Sequence, residues 1–123
     1  SKEVKSMTIK EVSETYGLSQ DTLRYYERVG MIPRVTRSQS GHRDYQEKDL
    51  GWVELAKCLR NAGLTVEAIV EYVRLSLEGD STIRQRYELL KRQREELVVQ
   101  RQRMDEAIGR LEHKIDVYAQ KLN

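Results

Sequence analysis

Apolar positions recur along this chain in short helical runs and then in one long heptad series, and the change between them organises the sequence. Over residues 7–16, Ile9, Val12 and Tyr16 share a face at helical spacing, and Thr8 with Glu11 makes a capping-box pattern. Gly17 supplies a left-handed stop. Ser19 then caps a second helix, with Gln20 and Asp21 in its first turn, running to Gly30. Two short helices about a glycine-containing turn predict a helix-turn-helix. Pro33 blocks further helix. In 34–45, Ser40-Gly41 marks a tight turn and Arg43-Asp44-Tyr45 alternates as a short strand would, so a small hairpin, a wing, is expected.

A third helix is expected over 46–62, with Trp52, Leu55, Ala56, Leu59 and Ala62 as its apolar stripe and Gly63 as its stop. Thr65 caps a fourth over 65–77, with Val66, Ile69, Val70 and Val73 turned inward, and Gly79-Asp80 breaks it. Beyond lies the most regular segment. Ile83, Tyr87, Leu90, Arg94, Leu97, Arg101, Met104, Ile108, Leu111, Ile115, Tyr118 and Leu122 alternate steps of four and three. Such a helix, about 60 Å long, cannot bury that stripe alone, so it is expected to pair with a second copy as a coiled coil. Arg94 and Arg101 interrupt one core position. A parallel, in-register pair would set each against its own copy, whereas an antiparallel pair lets the stems pack and the guanidinium groups reach out. The expected fold is therefore mainly α: a winged helix-turn-helix with linking helices over 7–77, then a coiled-coil dimerisation helix over 81–122.

Composition adds limits. The 123 residues suffice for one compact domain plus an extension, and 34% of them are charged. No run approaches the length of a membrane span, and the opening residues lack the apolar stretch of a secretory signal. One cysteine cannot form an intrachain disulfide and suits a reducing cytoplasm. With two histidines and one cysteine, a four-ligand zinc site would need carboxylates or a second chain, and no metal or cofactor is expected. Charge is unevenly placed: residues 24–43 hold five arginines against Glu27, while residues 61–123 hold 11 basic and 11 acidic residues. A local excess beside a balanced remainder is the footprint of a phosphate-binding surface.

On the second helix, Asp21, Arg24, Tyr25 and Arg28 fall on one face. Leu23 and Tyr26 lie nearer the other side, with the Tyr26 hydroxyl expected to reach out. Guanidinium groups bridge phosphate oxygens or read guanine edges, and a tyrosine hydroxyl donates to phosphate. The plain alternative is a solvated face with Glu27 paired to a neighbouring cation.

The runs "TLRYYERVGMIP" and "RSQSGHRDY", followed by two helices and a long heptad helix, resemble the MerR family of bacterial transcription regulators. The resemblance covers residues 7–123. It implies a homodimer joined by an antiparallel coiled coil, with two winged helices in successive major grooves of promoter DNA. It further implies activation by distorting an overlong promoter spacer so that RNA polymerase engages both elements. Carried onto this chain, it gives operator contacts to Arg24 and Tyr25 from the recognition helix and to Arg43 and Tyr45 from the wing, with Tyr26, Arg28 and Arg37 as further candidates.

The subtype follows from what is missing. Residues 78–85 and 118–123 hold no cysteine, where metal-sensing members carry them, and neither a cluster-binding set nor a drug-binding domain is expected. What remains resembles the branch associated with aldehyde, electrophile or nitrosative stress, which implies sensing at Cys58. The residues themselves leave this open. Cys58 sits roughly 95° from the centre of the expected stripe, and Glu54, one turn earlier, disfavours a thiolate. A non-thiol inducer with a purely structural Cys58 is the alternative. His42 falls in the wing and His113 on a heptad flank, neither placed to serve Cys58 as a base, so an enzyme is not expected. A purely structural adaptor would leave the arginine-rich window without a role.

Overall fold

The computed structural model describes residues 6–123. The opening residues read for a secretory signal fall partly on 1–5, outside the described residues. Five helices are present: α1 (Ile9–Tyr16), α2 (Gln20–Val29), α3 (Glu47–Asn61), α4 (Val66–Glu78) and α5 (Ile83–Leu122), with a single 3₁₀ turn at Asp80–Thr82 before the last. The chain forms two compact units, one up to Leu89 and one from Leu90 onward.

The helix ends of the first unit are where local chemistry puts them. Thr8 and Glu11 complete a reciprocal capping box on α1, and Gly17 closes it at φ 67°. The Ser19 hydroxyl accepts the Thr22 amide at the start of α2, and Thr65 does the same for Ala68 at α4. Gly30 ends α2 at φ 89°. A β-carbon there would meet Val70 at an ordinary 3.7 Å, so backbone conformation rather than space calls for glycine.

The wing is smaller than a strand pair. The Asp44 amide donates to the Thr36 carbonyl at 2.7 Å and the Ser38 amide to the His42 carbonyl at 2.8 Å, with Gly41 turning the chain at φ 87°. These bonds make one isolated bridge, Arg37 with Arg43; a second, Met7 with Tyr45, joins the wing to the residue before Thr8, and no strand occurs among the described residues. With one paired residue on each side of the turn, there is no room for a ladder.

Helix α3 is rotated from the expected stripe. Leu50, Val53 and Ala56 are buried, whereas Trp52, Leu55 and Leu59 are half-buried and Ala62 is exposed. The helix carries apolar residues on two adjoining faces, and tertiary packing selects the one with Leu50, Val53 and Ala56. Helix α4 buries Ile69, Val73 and Leu75, with Val66 and Val70 at the margin. Met31 and Ile32, which follow α2, and Val35, where the wing begins, fill the centre. Lys57 of α3 donates to the carbonyl of Tyr16, closing the end of α1.

At the turn into α5, the buried Thr82 hydroxyl lies 2.6 Å from the Leu75 carbonyl and 2.8 Å from that of Gly79, and it accepts from Arg86 Nε at 3.0 Å. The second unit is helix throughout to Leu122. Its apolar heptad positions stay in solvent within one chain, with Met104, Leu111, Ile115 and Tyr118 each 60–63% exposed.

Candidate nucleic-acid interface

Helix α2 is amphipathic, and its two sides have separate tasks. Leu23 and Tyr26 enter the core. Arg24, Tyr25 and Arg28 remain exposed, with the Arg28 guanidinium 5.4 Å from the centre of the Tyr25 ring. Arg24 lies 3.1 Å from Asp21 and 3.3 Å from the Gln20 amide oxygen, both exposed partners one turn back. Surface pairs of this kind contribute little and exchange readily for a stronger anion. Arg34, just before the wing, has no hydrogen bond or ion pair among the described residues.

The wing arginines are held differently. The Glu27 side chain is only 8% exposed, and its carboxylate collects three donors from the wing. The Val35 amide donates at 2.9 Å, Arg43 Nε at 2.7 Å, and Arg37 Nη2 at 3.0 and 3.3 Å to the two oxygens. Arg37 Nη1 is turned onto the Val35 carbonyl at 3.1 Å. Burial alone would push the Glu27 carboxyl up. The Val35 amide and the Arg43 and Arg37 guanidinium groups outweigh it and hold the carboxyl below its ordinary value. A buried carboxylate between two cations is sound only when its lone pairs are occupied, as they are here.

Two expected contact residues lie elsewhere. Tyr26 and Tyr45 are 6% and 0% exposed, so both rings are core and neither is open to a phosphate in this conformation. Large aromatic rings beside so small a wing are needed to fill its base. Burial raises the Tyr45 phenol, and Arg43, Glu27, Arg37 and Arg24 all act on it electrostatically. Its hydroxyl is buried and without a hydrogen-bond partner. The structure thus brings Arg37 and Arg43 together on Glu27 of α2, while Arg24, Tyr25 and Arg28 stay exposed on that helix.

Cys58 is exposed. It lies roughly 140° around α3 from the face of Leu50, Val53 and Ala56. Among the described residues, no group of three or more histidine, cysteine, aspartate or glutamate side chains could hold a metal ion, and no helix is long and apolar enough to cross a membrane.

Sequence reading missed two carboxylates. Glu27 appeared only as one partner of a solvated pair, and Asp49 did not appear. Asp49 is buried, and its Oδ2 accepts from the Thr36 hydroxyl and the Gln46 amide. The glutamine–aspartate spacing at the start of α3 is a local signal that would have found the second of these bonds.

Comparison with known proteins agrees with this geometry. Residues 7–76 match the family described as MerR HTH family regulatory protein. The HTH-type transcriptional regulator AdhR of Bacillus subtilis is 51% identical over 75% of this chain, which spans 66% of that relative's length. A MerR family transcriptional regulator from Listeria monocytogenes superposes with a TM-score of 0.89 at 48% identity, covering 92% of this chain and 86% of its own. HiNmlR, a MerR family regulator lacking the sensor domain and solved bound to promoter DNA, gives 0.86 at 31% identity, covering 94% and 91%.

Proposed function

The chain belongs to the MerR family of helix-turn-helix regulatory proteins, and from that premise we propose that it binds promoter DNA as a homodimer. In this reading α2 enters the major groove and the wing lies on the adjacent backbone. The observation that carries it is the junction of α2 with the wing, where exposed Arg24, Tyr25 and Arg28 stand beside Arg37 and Arg43 clamped on Glu27. Arg24 and Tyr25 are the reading residues, Arg28, Arg37 and Arg43 meet phosphates, and Tyr26 and Tyr45 support them from the core. The DNA-bound state of HiNmlR supports the same use of the fold.

The second copy pairs through the exposed heptad stripe of α5, antiparallel because of Arg94 and Arg101. Activation acts on the spacer between promoter elements, which the dimer distorts so that RNA polymerase engages both. The signal is electrophile, aldehyde or nitrosative stress, received at Cys58 in a reducing cytoplasm. Exposure of Cys58 favours this over a packing role, since the thiol fills no space within the chain. An adduct there strains nothing in one subunit, so its effect requires a surface that the second subunit brings to α3.

The test uses a duplex selected by the protein from random-sequence DNA, titrated at two salt concentrations. A steep salt slope is expected. Arg24→Ala is expected to lower affinity by about 1–3 kcal/mol and relax selection at one base position. Failure to enrich any sequence, or binding indifferent to salt, overturns the reading.

A further inference from the structure

Glu27 is one residue of α2, yet every donor its carboxylate holds comes from the wing. It lies between Tyr26, which is buried, and Arg28, which is exposed, so it stands at the edge of the reading face without being part of it. Arg43 spends only its Nε on Glu27, and no described residue takes its two Nη groups. The side chain is 26% exposed. One edge of the guanidinium is therefore fixed to α2, and no described residue occupies the other. Arg37, also 26% exposed, is fixed by Glu27 on one nitrogen and by the Val35 carbonyl on the other. The wing has almost no hydrogen-bonded ladder of its own, so this carboxylate is a main determinant of where its cations stand relative to Arg24 and Tyr25.

We infer that Glu27 is a specificity-determining positioning residue: it locks the wing arginines in register with the reading face of α2, so that phosphate contacts and base contacts form together only on the correct sequence. This rests on the operator-binding reading above. Phosphate contacts fix register and base contacts carry sequence, so a device that ties the two converts loose attraction into discrimination. The inference has a signature that charge alone does not produce. Glu27 is an anion beside a surface meant for DNA, so its removal should leave non-specific attraction equal or stronger while specific binding weakens.

The experiment titrates full-length wild type, Glu27→Gln and Glu27→Asp against two duplexes at one salt concentration. One duplex is selected by the wild type from random-sequence DNA, and the other is a shuffled duplex of the same length and composition. For Glu27→Gln, the ratio of selected to shuffled affinity is expected to fall about tenfold, with shuffled-duplex affinity unchanged or higher. Glu27→Asp keeps the charge but is one methylene too short to hold all three donors, and its ratio should fall by an intermediate amount. In an Arg43→Lys background, which lacks the Nε donor, Glu27→Gln should change the ratio much less than in wild type. If circular dichroism shows that Glu27→Gln does not fold, Glu27→Asp decides. A ratio within about twofold of wild type, or a parallel loss on both duplexes by a folded variant, overturns the assignment. Failure of the wild type to enrich any duplex overturns the parent reading instead.

Discussion

The hydroxyl of Thr36 in the wing donates to Asp49 Oδ2 at 2.8 Å, and the same oxygen accepts the Gln46 amide at 2.8 Å. One buried carboxylate thus caps α3 and ties the wing to it. Asp49→Ala leaves a part-buried backbone amide and a part-buried hydroxyl without their acceptor, which costs about 1–3 kcal/mol. Urea unfolding is expected to show that loss, with Asp49→Asn closer to wild type because it keeps one acceptor oxygen. Equal midpoints for wild type and Asp49→Ala would remove the anchor from the account.

The clamp on Glu27 predicts a pH dependence of definite sign. Its carboxyl is held below the ordinary 4.5 because the Val35 amide and two guanidinium groups outweigh burial. A carboxyl with a lowered folded value contributes its full stability above the unfolded value and loses it as pH falls through the folded one. The stability gap between wild type and Glu27→Gln is therefore expected to be constant above 4.5 and to narrow below it. Other carboxyls titrate in both proteins and cancel. A gap that stays constant down to about pH 3 would show that the clamp does not depend on the charge of Glu27.

The features legible in the sequence were those decided within one helical turn. Thr8 with Glu11, Ser19, Thr65 and the glycines at 17 and 30 fixed the ends of three helices, and the heptad steps gave α5 almost to the residue. Glu27 was not legible as a clamp because its donors lie eight to sixteen residues away, on a wing whose course no local pattern dictates. The face of α3 was misjudged for a related reason. Leu50, Val53 and Ala56 compete with Trp52, Leu55 and Leu59, and periodicity alone cannot choose between adjoining apolar faces. Tyr45 looked like a surface hydroxyl, since its burial depends on how the wing closes against the start of the chain through the Met7 bridge.

The proposed dimerisation through α5 makes a prediction about where the chain may be cut. Leu89 is buried within the first unit, while Leu90 and most later stripe positions are exposed. A chain ending after Leu89 keeps Thr82, Arg86 and their bonds to the end of α4, so the first unit is expected to retain its helical content. It should sediment as a monomer and lose tight binding to a two-half-site duplex, because the second half-site then adds no effective concentration. A truncated chain that remains dimeric would place the interface on the first unit.

The final prediction concerns Cys58 and follows from its exposure. The thiol faces away from Leu50, Val53 and Ala56, so replacing it should disturb neither the core nor the α2–wing junction. Cys58→Ser is accordingly expected to keep folding stability within about 0.5 kcal/mol of wild type, as surface changes do. Its affinity for a selected duplex should stay within about tenfold, since neither Arg24 nor Arg43 is near it in the chain's hydrogen-bond network. Transcription is where the two should part. With purified polymerase, an aldehyde or nitrosating agent should raise transcription by the wild type and leave Cys58→Ser flat, and intact mass should show one adduct on the wild type alone. Because the thiol fills no space within one subunit, the adduct can act only against a surface supplied by the second. The chain cut after Leu89 keeps Cys58 and should therefore still take the adduct while giving no transcriptional response. If Cys58→Ser responds to the same agent as wild type does, the exposed thiol is not the receptor, and the inducer acts elsewhere on the protein.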